Sequence, residues 1–290
     1  ADLKADPVML STRSHGYAHA VYPLMERYNH VIAKVKIDGK DVFLDASHPE
    51  LGYGHLNYDC YNGQARVIDN DATVVEMDAA SLKEKSVISL FIINDEKGNS
   101  VGSLQKAPGY YESLRIRSKV KEKGKDNYFA ELKKSFGNEI KMSNERIDSL
   151  TKLDDPVGVF FDFDFTGEKE DIIYFNPMLI EGYKENPFKS AKRYYPVEMP
   201  FALDETYNMQ MEIPAGYVVD ELPKQMVMKM NEEGDGTFEY RVSVSGNNIS
   251  FRSRLVINRT FYLPEEYEML REFFNLVVKK HNEQIVFKKK

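Results

Sequence analysis

The sequence predicts an α+β protein that consists mostly of antiparallel β-strands and has a helix near its C-terminus. Three observations lead to this fold class. Apolar and polar residues alternate in many short segments, turn-forming Gly, Asn and Asp residues separate those segments, and one long segment near the end has helical periodicity. Runs of strands with few helices are typical of α+β proteins and favour a β-sandwich-like arrangement in the second part of the chain.

Composition narrows the class of protein further. The chain has 290 residues, enough for about two domains, and its 42% hydrophobic and 29% charged residues are ordinary for a globular protein. The net charge of -7 argues against a nucleic-acid partner. The longest apolar segment, residues 87–93, is too short to span a bilayer, and the first residues do not form a signal peptide. The single cysteine, Cys60, excludes an internal disulfide.

A β-hairpin is predicted for residues 28–47, "YNHVIAKVKIDGKDVFLDAS". Asp38 and Gly39 between two alternating strands are typical of a two-residue type I′ turn, in which both central residues need a positive φ. The resulting register pairs Ile37 with Lys40, Val35 with Val42, Ala33 with Leu44 and Val31 with Ala46. The face of the first strand that carries these residues is apolar, and we expect His30 to lie on the opposite, more polar face.

His30 and Asp45 share that second face as diagonal neighbours. Such positions lie roughly 7–8 Å apart at the backbone, within reach of an imidazole and a carboxylate. A histidine held by an aspartate is the base and the orienting group of a nucleophilic triad. The alternative is an ordinary solvated ion pair, which is common on protein surfaces.

The middle of the chain is predicted to contain more strands and one short helix. Two strands flank a turn at residues 97–99. Residues 114–121, "LRIRSKVK", alternate apolar and basic side chains and predict a half-buried strand. Residues 126–137, "DNYFAELKKSFG", have apolar residues at helical spacing and end in Gly137, which predicts a helix.

Strands dominate from residue 157 onward until a final long helix. Residues 263–284 have Pro264 at the start, acidic residues in the first turn and lysines near the end, as the helix dipole favours. The apolar residues of this segment recur at helical spacing and predict one buried stripe. A short strand at residues 285–290, "IVFKKK", is expected to follow.

Several segments resemble a known family. "ADPVMLSTRSHG", the hairpin sequence and "GHLNYDCYNGQARVI" are together similar to the second half of a bacterial transglutaminase-like domain of the papain-like type. "ENPFKSAKRYYPVEMP" and "EEYEMLREFFNLVVKK" resemble the domain that follows it in exported proteins. The resemblance implies a partial transglutaminase-like segment at residues 1–75 and a β-rich domain at residues 76–290, with a further division near residue 200 as an option.

The same resemblance implies roles for the two paired residues. Papain-like transglutaminases use Cys, His and Asp in that chain order, so His30 would be the base and Asp45 the orienting carboxylate. The nucleophile would precede the segment that begins at Ala1. The expectation is therefore a non-catalytic fragment, or a binding or structural module, of a periplasmic or cell-envelope protein with a protein or glycan partner. The alternative is part of a Cys-His-Asp transglutaminase or cysteine-peptidase-like enzyme whose nucleophile lies upstream of residue 1.

Two further possibilities concern Cys60 and the histidines. Cys60 follows the other two residues in a Gly- and Asn-rich loop without an activating signal, so we expect a structural role for it. Five of the six histidines lie in the first 55 residues, which leaves zinc as an alternative: they are His15, His19, His30, His48 and His55. No HExxH or CxxC pattern is present, and the sequence predicts neither a metal site nor a cofactor.

Overall fold

The first part of the chain forms a five-stranded antiparallel sheet. The computed structural model describes residues 4–19, 21–137, 140–167 and 170–290. The strands of the first sheet are β1 (Ala5–Leu10), β2 (His30–Ile37), β3 (Lys40–Leu44), β4 (Gly63–Val67) and β5 (Val74–Met77). Their order is β3-β2-β1-β4-β5, so the predicted hairpin forms one edge of the sheet.

The predicted hairpin is confirmed. Asp38 and Gly39 have φ values of 50° and 79°, as a type I′ turn requires. The strands pair in the predicted register from Ile37 opposite Lys40 to Ala33 opposite Leu44. The turn chemistry therefore sets which residues of β2 and β3 share a face.

The expectation about which face is buried is wrong at the end of the hairpin that holds His30. Val31 is 57% exposed, whereas Ile32 is 3% exposed and lies opposite the buried Val8 of β1. His30 shares the face of Ile32 and lies opposite Leu10, so it borders the core. The reason is that Ile32 is as apolar as its neighbours, and the pattern alone does not show which face the rest of the chain covers.

The remaining elements build the larger, β-rich part. They are β6 (Lys83–Asn94), β7 (Ser100–Ala107), α1 (Tyr110–Lys123), α2 (Lys125–Phe136), β8 (Ile140–Asp148), β9 (Gly158–Phe165), β10 (Ile172–Phe175), β11 (Val197–Glu198), β12 (Ala202–Glu212), β13 (Tyr217–Glu221), β14 (Met226–Lys229), β15 (Gly236–Ser245), β16 (Asn248–Ile257), β17 (Phe261–Tyr262), α3 (Tyr267–His281) and β18 (Ile285–Lys289). An eight-stranded sheet has the order β14-β15-β16-β12-β6-β7-β9-β8. Only β6 and β12 pair in parallel within it. Two small sheets, β10-β18-β13 and β11-β17, accompany it.

The α+β class, with mostly antiparallel sheets and a helix near the C-terminus, is confirmed. Helix α3 follows a single 3₁₀ turn at Pro264–Glu266 and buries its apolar stripe in the main apolar core, which the eight-stranded sheet shares with the helices and the small sheets. The buried residues of the stripe are Tyr267, Leu270, Phe273, Phe274 and Val277. None of the helices in the described ranges is long and apolar enough to cross a membrane.

The strand predicted at residues 114–121 is wrong, because this segment belongs to helix α1. The buried face of α1 includes Ser113 and Arg117 beside Ile116. The Ser113 hydroxyl donates to the Gly109 carbonyl, and Arg117 donates to carbonyl groups of the loop that follows β8. Because two of the three buried residues of α1 are polar, its buried face does not form a continuous apolar stripe, and the apolar-basic alternation is the more visible pattern in the sequence. Helix α2 lies where a helix was predicted.

The loop between β3 and β4 contacts the start of α1. The Tyr110 hydroxyl accepts a hydrogen bond of 2.8 Å from the Gly52 backbone, and its ring stacks on His55 at a centroid distance of 3.9 Å. The Tyr111 hydroxyl donates to the Leu56 carbonyl at 3.1 Å.

The first sheet ends at residue 77, and strands from both sides of residue 200 share the eight-stranded sheet. The domain boundaries at 75 and 200 stay predictions.

Candidate functional site

The structure brings His30 and Asp45 into direct contact. His30 is the first residue of β2, and Asp45 directly follows β3 on the neighbouring strand. The Nε2 atom of His30 lies 2.9 Å from Oδ2 of Asp45. The Asp45 side chain is only 1% exposed, whereas the His30 side chain is 21% exposed. The Asp45 carboxylate is therefore buried, whereas the His30 ring is accessible to solvent.

Ser47 fixes the orientation of the Asp45 carboxylate. Its backbone N–H and its hydroxyl both donate to Oδ1, at 2.8 and 2.6 Å, so Oδ2 stays directed at His30. Burial raises the pKa of Asp45, but the hydrogen bonds from Ser47 and His30 outweigh that effect and hold the pKa below its usual range. Asp45 is therefore a carboxylate at neutral pH.

This arrangement defines the chemistry open to His30. A carboxylate at Nε2 favours the tautomer that carries its proton on that atom. Nδ1 of the neutral ring is then the basic nitrogen and can accept a proton from a substrate or a nucleophile. After that transfer the imidazolium is stabilised by Asp45, as in the base-orienter half of a triad.

Cys60 lies closer to this pair than its place in the sequence indicates. It ends a 3₁₀ turn, Tyr58–Cys60, and is 2% exposed. It packs in a second, smaller apolar core beneath the first sheet, whose other buried members are Val8, Leu10, Ile32, Leu56, Ala65, Val67 and Met77. One donor atom from each of His30, Asp45 and Cys60 forms a group in which all distances are within 4.8 Å. Burial, together with the nearby charges of Asp45 and Asp59, raises the pKa of the Cys60 thiol to about 12. The sequence could not reveal this proximity, because it depends on how the loop folds under the sheet.

The other N-terminal histidines make contacts of their own. A ring nitrogen of His15 lies 3.3 Å from the Glu26 carbonyl oxygen, and Nδ1 of His19 accepts hydrogen bonds from the backbone of residues 21 and 22. His55 stacks on Tyr110. Residues 15–19 are not helical, so the spacing in "HGYAH" does not align the two histidines.

A second polar cluster lines a cavity of about 220 Å³ in the β-rich part. Three hydrogen-bonded pairs line it: Lys106–Glu181 at 3.0 Å, Tyr183–Glu205 at 3.0 Å and Ser253–His281 at 2.9 Å. Burial lowers the pKa of His281 to about 4, so its ring is neutral at pH 7. Sequence reasoning missed this cluster because its members come from distant strands, a loop and α3.

The comparison with protein families concerns the second half of the chain. Residues 171–287 match the model of a family described as a domain of unknown function with a solved structure (DUF3858). This segment contains α3 and most of the strands that follow helices α1 and α2. No curated protein matches the chain.

One solved structure is similar over nearly the whole chain. It is described as the "crystal structure of a putative protease" from Parabacteroides distasonis, and the likeness has a TM-score of 0.50 at 12% sequence identity. It covers 99% of this chain and 40% of that one, so the present chain spans less than half the length of its structural relative. At this identity the likeness shows the fold alone.

Proposed function

We propose that this chain is a binding or structural module of a cell-envelope transglutaminase-like protein. In this proposal His30 and Asp45 are the proton-transfer half of a papain-like site, and the single cysteine of the sequence, Cys60, is buried rather than accessible. The observation that carries the proposal is the 2.9 Å contact between Nε2 of His30 and a buried carboxylate that Ser47 holds in place. A solvated surface pair would not need a buried, doubly anchored carboxylate.

Cys60 does not fit the part of the missing nucleophile. In acyl transfer the attacking atom must approach a carbonyl carbon to about 3–3.5 Å in a defined direction. Cys60 is 2% exposed and packs with the apolar residues of the smaller core. A substrate carbonyl would have to reach a sulfur that is almost completely buried, so we do not expect Cys60 to attack a substrate.

Turnover by the purified chain tests this proposal. We expect no hydrolysis of ester or glutamine-amide donors, and no amine incorporation, beyond the rate of the His30→Ala variant. The proposal would be contradicted by turnover that exceeds this control, or by an acyl group found on Cys60 by mass spectrometry.

The alternative is an enzyme whose nucleophile is a cysteine upstream of residue 1. It is favoured by the same His30–Asp45 geometry, since a base and an orienting carboxylate are what an acyl-transferring cysteine requires. The native protein isolated from its source, with its N-terminus identified, separates the two functions. A cysteine outside residues 1–290, alkylated at neutral pH at a rate that drops in the His30→Ala variant, would support the enzyme. Equal rates would support the binding module.

The identity of the binding partner requires a separate test. The proposed partner is a protein or a glycan of the cell envelope. Binding of the chain to envelope glycan fragments and to envelope proteins can be compared directly. If the chain binds neither the glycan fragments nor the envelope proteins, the binding role is contradicted and only the structural role remains proposed.

A further inference from the structure

We propose that His30, Asp45 and Cys60 form a binding site for a divalent transition metal of the zinc class. The three side chains offer one nitrogen, one oxygen and one sulfur ligand, and these atoms lie within 4.8 Å of one another. The inference concerns metal binding alone. It stands whether or not His30 acts as a base in acyl transfer.

The ligand types select the class of metal. Imidazole and thiolate suit Zn²⁺ and its neighbours, whereas Mg²⁺ and Ca²⁺ prefer sets made only of oxygen ligands. Tetrahedral bonds of about 2.0–2.3 Å place ligand atoms about 3–4 Å apart. The trio is already near that spacing, so an ion can be enclosed after side-chain movements on the order of 1 Å.

The backbone and the neighbouring side chains hold two of the three ligands in place. Ser47 occupies Oδ1 of Asp45 with two hydrogen bonds, which leaves Oδ2 on the side of the trio. Cys60 is fixed at the end of its 3₁₀ turn, because its backbone N–H donates to the Asn57 carbonyl at 3.0 Å. Outer partners of this kind raise metal affinity by orienting the ligands before the ion arrives.

Differences in exposure show how an ion would enter. The Asp45 side chain and Cys60 are almost completely buried, whereas His30 is partly exposed. An ion therefore reaches the trio from the His30 side, and the fourth coordination position faces that side, where water can occupy it. On binding, the hydrogen bond between His30 and Oδ2 of Asp45 breaks, and the ring keeps its one proton on the nitrogen that faces away from the ion, so that the other nitrogen offers its lone pair. The sulfur–hydrogen bond of Cys60 also breaks, a sulfur–metal bond forms, and one proton is released to solvent. No electron is transferred.

Cobalt(II) provides the direct test, because a thiolate ligand produces a charge-transfer band in the near ultraviolet. Titration of the purified chain with Co²⁺ is expected to saturate at one ion per chain and to show this band. Added Zn²⁺ should displace the cobalt and remove the band. Absence of the band at saturating Co²⁺ would overturn the proposal, since Cys60 is the only thiol in the chain.

Variants assign the ligands. Cys60→Ser should abolish the band, and His30→Gln and Asp45→Asn should each weaken Zn²⁺ binding at least about tenfold. Ser47→Ala, which removes one hydrogen bond from Asp45, should weaken it by a smaller factor. Circular dichroism of each variant checks that the fold is kept, so that His30→Gln remains informative if the buried Cys60 variant unfolds.

The matched control is His19→Ala, which removes an exposed histidine whose ring contacts only its own loop in the described contacts. Zinc affinity should be unchanged in this variant. If His19→Ala abolishes binding while His30→Gln does not, the ion is held by the surface histidines and the proposed site is wrong.

Discussion

At the scale of single residues, the pairing of His30 with Asp45 is the feature that the sequence made most visible. Alternation and the Asp38–Gly39 turn place both residues on one face, and the structure brings their side chains to 2.9 Å. Their burial could not be predicted, since it depends on β1 and on the loop that carries Cys60. The anchoring by Ser47 could have been suspected, because an Asp followed two residues later by Ser often forms such a turn.

The buried carboxylate predicts a clear stability effect. Asp45→Ala should lower the free energy of unfolding by about 2–3 kcal/mol, because the hydrogen bonds that Ser47 and His30 make to this carboxylate are lost. Asp41→Ala, four residues earlier in β3, is the matched control, since Asp41 is exposed and lies 3.8 Å from Lys34. Its cost should be below about 0.5 kcal/mol in urea melts. Equal costs would show that Asp45 is not anchored as described.

His281 predicts an acid-side loss of stability. Its pKa is lowered by burial from 6.5 to about 4, so the unfolded chain binds the proton more readily than the folded one. Stability from this group is complete above pH 6.5 and is lost as the pH falls through about 4, by a total of about 2–4 kcal/mol. Urea melts across this range should show a smaller loss in His281→Gln. An unchanged pH slope in that variant would contradict the burial of a neutral ring.

At the scale of elements, the segments with strong local signals were predictable and those with polar buried faces were not. The hairpin turn and α3 follow from turn chemistry and from a continuous apolar stripe. Helix α1 was predicted as a strand because Ser113 and Arg117 lie on its buried face. The local pattern of apolar and polar residues does not show that a buried polar side chain such as that of Arg117 will form hydrogen bonds with carbonyl groups of a distant loop.

The hairpin turn predicts a cost for any side chain at its second position. Gly39 has a φ of 79°, so Gly39→Ala should destabilise the chain by about 1–2 kcal/mol, because an L-residue is strained there. Gly167→Ala is the matched control, since its φ is not in the left-handed region and, among the residues that the structure describes, no atom lies within 4 Å of an added Cβ. Thermal melts should show little change in the control or a slight gain. Similar losses in both variants would rule out strain at the turn.

Helix α1 predicts a cost for losing its buried guanidinium. Arg117→Ala should destabilise the chain by about 2–4 kcal/mol, because the carbonyl groups of Ser149, Leu150 and Lys152 lose their donor. The control is Arg115→Ala two residues earlier, whose side chain is exposed and pairs only with Glu112 in the described contacts. Denaturant melts should show a change below about 0.5 kcal/mol for the control. A neutral Arg117→Ala would contradict the described packing of α1.

At the scale of the whole molecule, the fold class was predictable and the strand order was not. The parallel pairing of β6 with β12 joins segments more than 100 residues apart and makes the eight-stranded sheet continuous. Nothing local in either strand encodes this choice of neighbour. The candidate site is likewise only partly predictable from local sequence. His30 and Asp45 come from one hairpin, whereas Cys60 is brought beside them by the fold of the first sheet.

The reactivity of Cys60 tests the central claim most directly. The folded chain is treated with iodoacetamide at neutral pH in the presence of a metal chelator, and its intact mass is followed with time. We expect no modification of the folded chain and complete modification after unfolding, because the sulfur is buried. Rapid modification of the folded chain that slows in His30→Ala would show an activated, accessible thiol and would contradict the assignment of this chain as a module without its own nucleophile.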